Sequence, residues 1–84
     1  MFINKAKDGS NNLCGRIVSE KRKALGLSQR ALADRLQLIG LDVDKNAVQR
    51  IEAGKRFVTD IELVALAQVL GLSPLDLLSE PAAT

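Results

Sequence analysis

The chain contains no histidine, tryptophan or tyrosine, one cysteine, two prolines and two phenylalanines, and each shortage excludes something. Without histidine the commonest general base is missing, along with the Ser–His and Cys–His nucleophilic systems and most metal sites. The lone Cys14 permits neither an intrachain disulfide nor a thiolate cluster for zinc or iron–sulfur. No apolar run approaches the roughly 18 residues of a membrane span, and Met1-Phe2-Ile3-Asn4-Lys5 does not open a signal peptide. A reducing cytoplasm away from membranes is the expected location. There is no glycine-rich phosphate loop, and the acids sit at surface-like helix positions. An enzyme is therefore not expected, and no cofactor or metal is implied.

What is present suits one small folded domain. The chain has 84 residues, 46% hydrophobic and 26% charged, inside the range of globular proteins and too short for a second core. The net charge of +2 is uninformative, but its distribution is not. All 12 basic residues lie between Lys5 and Arg56 with six of the acids, while residues 57–84 carry four acids and no base. A polarised molecule of this kind offers an anion-binding face, or else two ordinary solvated surfaces.

Residues 1–12 end in Asp8-Gly9-Ser10-Asn11-Asn12, turn formers without helical periodicity, and read as a loose or partly ordered arm. From Leu13 the pattern changes. Leu13, Ile17, Ala24 and Leu25 recur at helical intervals with Arg16, Glu20, Lys21 and Lys23 outside, predicting a helix that Gly26 stops and Leu27 packs back upon. Ser28 caps a second helix, Gln29 to about Leu38, with Ala31, Leu32, Leu36 and Ile39 as its stripe and Gly40 as its end. After Leu41-Asp42-Val43, Asp44 caps a third, Lys45 to Ala53, with Val48 and Ile51 inward, Ala47 at a close helix approach and Gly54 as the stop. Thr59 or Asp60 caps a fourth, Ile61 to Leu70, apolar at Leu63, Leu66, Ala67 and Leu70. Ser73-Pro74 then restarts a short fifth through Leu75, Leu77 and Leu78. The expectation is an all-α, compact five-helix bundle over residues 13–79, with a tail at 80–84. Its second and third helices form a helix-turn-helix.

Ser28-Gln29-Arg30-Ala31-Leu32-Ala33, followed by Val48-Gln49-Arg50-Ile51-Glu52-Ala53-Gly54-Lys55-Arg56, resembles the Cro and phage-repressor, lambda-repressor-like type of helix-turn-helix domain. The likeness runs from about Gly15 to Leu78 and includes Gly26-Leu27-Ser28-Gln29 and Leu70-Gly71-Leu72-Ser73. It implies a cytoplasmic transcriptional regulator, repressor-like, that binds double-stranded DNA sequence-specifically as a dimer on a near-palindromic operator. The third helix would enter the major groove. Lys45, Asn46, Gln49 and Arg50 match the base-facing positions, Gln29 the polar residue that touches the backbone, and Arg22 and Glu52 a buried structural pair. Two departures stand out. The joint at residues 37–43 is longer than usual, which suggests an extra turn on helix two plus a longer loop, and Phe57-Val58 follows Lys55-Arg56 where many relatives have a proline nearby.

The residues also carry their own chemistry. Carboxamides such as Asn46 and Gln49 pair bidentately with adenine, while Lys45 and Arg50 suit guanine; Arg50 has phosphate as its other target, and all four have plain solvent cover as theirs. Ser28 and Gln29 sit at free helix amides that suit a phosphate. Lys55, Arg56 and Lys21 supply cations for the backbone, with solubility as their other role, and Lys23 shares that choice. Cys14 reads as a small buried hydrophobe. The arm, with Lys5 and Lys7, lies along DNA, packs on a partner subunit through Phe2 and Ile3, or is disordered. Leu72, Leu75 and Leu78 form a dimer interface or close the core. The competing function is a protein-interaction module, an antitoxin or adaptor subunit that uses Leu72, Leu75, Leu77 and Leu78 to hold another chain.

Overall fold

The computed structural model describes residues 5, 6 and 8–79, which hold five helices and no strand. These are α1 (Gly15–Ala24), α2 (Gln29–Leu38), α3 (Lys45–Glu52), α4 (Asp60–Leu70) and α5 (Pro74–Leu78). Local chemistry starts them. Ser28 Oγ accepts from the Ala31 amide at 3.0 Å and Asp44 Oδ1 from that of Ala47 at 2.8 Å, each cap stabilising by about 1 kcal/mol. For α4 the cap is Thr59. Its hydroxyl accepts from the Glu62 amide at 3.2 Å while Glu62 Oε1 accepts from the Thr59 amide at 3.0 Å, the reciprocal box that leaves Asp60 as the first helical residue.

The first four helices end alike. Amides of Leu27, Leu41, Lys55 and Leu72 donate to carbonyls of Arg22, Leu36, Arg50 and Ala67 at 2.9–3.0 Å, each bond enclosing a glycine of positive φ. This closure satisfies carbonyls that the helix itself cannot reach.

α2 and α3 share the most extensive interface; α1 leans on α3 and α4, and α5 closes against α4. Leu32, Leu36, Val48, Ile51, Leu66, Leu70 and Leu77 fill the space between them at 0–1% exposure. Truncating one such leucine to alanine costs about 2–5 kcal/mol.

α1 differs from the sequence expectation. Its inward residues are Cys14, Gly15, Val18 and Arg22, whereas Leu13 and Leu25 are 39% and 45% exposed and Ala24 faces solvent. The cause is a close approach: a Cβ added at Gly15 would lie 2.2 Å from the Ile51 carbonyl oxygen. α1 meets α3 through bare backbone, and that contact sets its rotation. In α2, Ala33 is buried, while Ile39 lies beyond the last helical residue and is 42% exposed. In α5 only Leu77 is buried.

The long joint is ordered by its own bonds. Gly40, at φ 94°, turns the chain off α2, a conformation that side chains with a Cβ resist. Gln37 Nε2 then donates to the Val43 carbonyl at 2.7 Å, and Val43 is buried at 4% exposure. A loop with one buried valine and a side chain bracing its backbone leads straight into the Asp44 cap.

Candidate nucleic-acid interface

Eight helical residues and one cap produce a two-sided α3. Val48 and Ile51 are buried, and Lys45, Asn46, Gln49 and Arg50 are all exposed. Spacings of one, four and five residues place those four on one face. That face presents two carboxamides and two cations, and its N-terminal end is fixed by the Asp44 cap.

Beneath it lies a polar network. The Arg22 guanidinium grips Glu52 with both prongs, Nε to Oε2 at 2.6 Å and Nη2 to Oε1 at 3.0 Å, with side chains only 10% and 7% exposed. Its third nitrogen, Nη1, donates to the Leu27 carbonyl at 2.7 Å. The pairing with Glu52 holds the Arg22 pKa above its ordinary value. Gln29 joins the network, Nε2 donating to Glu52 Oε1 at 3.1 Å. One carboxylate at the end of α3 thus ties together α1, the start of α2 and the loop between them. Its Gln29 partner is half-buried, with one amide hydrogen already engaged.

The start of α2 has the features of an anion site. Ser28 uses its oxygen as a cap and keeps its hydroxyl proton, while among the described residues the amides of Gln29 and Arg30 have no acceptor. Lys21 is half-buried on α1, Lys23 exposed. Lys55 and Arg56 part company. Lys55 is exposed, whereas Arg56 Nη1 sits 2.9 Å from Glu62 Oε2, off the direction of a hydrogen bond, with side chains 33% and 12% exposed. The Arg56 charge thus has an acidic neighbour on α4, which Lys55 lacks among the described residues.

Asn11 and Asn12 stand outside the sequence's set of site residues. Asn12 Nδ2 donates to the carbonyls of Ile51 at 3.1 Å and Arg56 at 2.7 Å, and its Oδ1 accepts from the Gly15 amide at 2.8 Å. Asn11 donates its backbone amide to the Gly54 carbonyl at 2.7 Å and Nδ2 to that of Lys55 at 3.1 Å. Within the stretch read as a loose arm, residues 8–12 are therefore tied to the end of α3. Asp8 adds a turn, accepting from both the Ser10 amide and hydroxyl, which lowers its pKa. Lys7 and residues 1–4, including Phe2 and Ile3, lie outside the described residues, as does the tail at 80–84.

Apolar exposure is spread over the surface, with Leu38 at the end of α2 85% exposed, Phe57 52% and Leu25 45%. Leu75 is 76% and Leu78 43% exposed on α5, with Ile61 at 73% and Val64 at 54% on α4. Leu72 is half-buried against the core. Cys14 is a packed core residue whose thiol pKa is pushed up to about 11, chiefly by burial.

A capped helix, a turn and a second helix with a polar solvent face define a helix-turn-helix unit. Residues 18–77 match the family described as Helix-turn-helix, and the chain belongs to it. Among solved structures it is similar to the restriction-modification controller protein C.AhdI from Aeromonas hydrophila. That likeness has 33% identity over 75% of this chain and 88% of that one, with a TM-score of 0.66. It is also similar to the P22 c2 repressor protein in complex with a synthetic operator, at 28% identity over 82% and 97% of the two chains and a TM-score of 0.70. A chain of the SinR protein/SinI protein complex matches at 28% identity over 80% of this chain and 61% of that one, TM-score 0.67. A comparison with curated protein sequences gives no significant match. The fold is thus the all-helical, lambda-repressor-like bundle.

Proposed function

We propose that this protein is a transcriptional regulator that binds double-stranded DNA sequence-specifically, as a homodimer on a near-palindromic operator. The observation that carries this reading is the solvent face of α3, where Lys45, Asn46, Gln49 and Arg50 stand together beyond a capped N-terminus. Base edges need shaped donors and acceptors, and two carboxamides with two cations supply them for adenine and guanine. The start of α2 takes the neighbouring phosphate through the free amides, the Ser28 hydroxyl and Gln29, whose side chain Glu52 orients. Lys55 and Lys21 add cations along the backbone, and Arg56 a third from its ion pair with Glu62. The similarity to a repressor in complex with operator supports the same reading.

Dimerisation through α4 and α5 accounts for the exposed Leu75, Leu78, Ile61 and Val64. One α3 contacts few base pairs, so useful specificity asks for two, about 34–36 Å apart in successive major grooves. Transcription is then controlled by occupancy of the operator. The same apolar exposure favours a second reading, a module that holds a different protein, as an antitoxin or adaptor would.

Selection of randomised duplex DNA by the purified protein at about 0.15 M salt, with its mass in solution, separates the two. A recurring palindrome and a dimeric mass are expected. A folded protein that enriches no sequence would overturn the DNA reading in favour of the interaction module.

A further inference from the structure

We infer that Asn11 and Asn12 are positioning residues of the DNA interface, which present Lys55 to the phosphate backbone and mask from it the carbonyls at and just beyond the end of α3. The inference rests on the DNA-binding reading above. Both asparagines precede residue 18, where the family match begins.

Elementary electrostatics motivates it. The C-terminal end of a helix carries the equivalent of roughly −0.5 elementary charge on carbonyls without helical partners, which repels a polyanion. In this fold that end lies beside Lys55, an exposed cation. The clamp answers both needs. Four carbonyl oxygens each receive an N–H from Asn11 or Asn12 at 2.7–3.1 Å: that of Ile51 in the last turn of α3, which also accepts from the Gly54 amide, and those of Gly54, Lys55 and Arg56 in the loop that follows. The backbone on either side of the Lys55 Cα is thereby held, so its long side chain starts from a fixed point before DNA arrives.

The clamp also fits too closely to slide. A Cβ at Gly54 would lie 2.7 Å from Ser10 Cβ, and one at Gly15 would strike the Ile51 oxygen that Asn12 caps. Through its Oδ1 bond to the Gly15 amide, Asn12 joins the first turn of α1 to the last turn of α3. The segment before α1 is part of the recognition surface's mounting.

The test measures DNA affinity against salt for Asn12→Ala, Asn11→Ala and Lys55→Ala, at a temperature where circular dichroism shows each variant folded. The probes are the selected duplex and a random-sequence duplex. Asn12→Ala is expected to weaken both on the order of fivefold and to flatten the slope of log K against log salt by about one, as loss of one phosphate contact does. Added to Lys55→Ala, it should change the slope no further. Asn11→Ala, which loses one side-chain bond, is expected to do the same to a smaller degree, and it carries the test if Asn12→Ala does not fold. Unchanged affinity and slope in variants of lowered thermal stability would overturn the inference alone. Failure of the unaltered protein to bind either duplex would overturn it together with the DNA reading.

Discussion

The two halves of this small bundle differ in what they expose. On the α2–α3 side the outward face of α3 carries two carboxamides and two cations, bordered by exposed Leu38 and Ile39 at the end of α2 and by the acids Asp34, Asp42 and Asp44. On the α4–α5 side aliphatic side chains face solvent, and no base occurs after Arg56. α4 is apolar on both faces, with Leu66, Ala67 and Leu70 inward and Ile61 and Val64 outward. One core thus supports a face of α3 that bears amides and cations and, on α4 and α5, an aliphatic surface without bases.

The largest effect should come from breaking the network under the polar half. Glu52→Ala leaves the Arg22 charge buried without its partner and is expected to cost about 3–5 kcal/mol in urea unfolding. Replacing both partners by Met and Leu should recover most of that loss; a double variant as unstable as the single one would count against buried charge as the cause. Gly15→Val forces a Cβ against the Ile51 carbonyl and should cost roughly 3 kcal/mol. Wild-type stability in that variant would show that α1 and α3 part easily.

On DNA the halves should separate cleanly. Gln49→Ala or Asn46→Ala is expected to lose about 1–3 kcal/mol at a single operator position, whereas Lys55→Ala weakens every sequence together. Equal losses on all sequences for the amide variants would remove them from base reading. Leu75→Lys, at 76% exposure, should change folding stability by less than about 0.5 kcal/mol while converting a dimeric mass to a monomeric one. An unchanged mass would return α5 to the role of core lid.

The smallest effect is invisible at neutral pH. A thiol whose pKa rises from 9.0 to about 11 on burial keeps its proton in the folded state where the unfolded chain has lost it. The stability Cys14 contributes is complete below pH 9 and declines as pH rises towards 11. The Tm of wild type should therefore fall faster than that of Cys14→Ala across this window, and parallel curves would contradict the assignment.

Helix positions were readable because their signals are local: Ser28, Asp44 and Ser73-Pro74 open helices, and Gly26, Gly40, Gly54 and Gly71 close them. The solvent face of α3 followed from the same periodicity. The rotation of α1 followed only in part: Cys14, Arg22 and Ile17 lie on the expected side, but Gly15 and Val18 gave no signal to set against Leu13 and Leu25, which face solvent. The clamp was hidden for another reason. Asn11-Asn12 looks like turn chemistry in any sequence, and its partners lie 39 and 44 residues away. The Arg56–Glu62 ion pair was not legible either, since nothing adjacent in sequence reveals that Glu62, while closing its own capping box, also faces Arg56.

The joint between α2 and α3 has a consequence for descent and for engineering. Each of its ends is self-terminated, α2 by the Gly40 turn and α3 by the Asp44 carboxylate, and the packing of Leu32 and Leu36 against Val48 and Ile51 sets the angle between the helices. Between those ends Leu41 packs on the core and Val43 is buried in it, braced by Gln37, which leaves the exposed stretch around Asp42 as the place where residues can be gained or lost while the angle between α2 and α3 is kept.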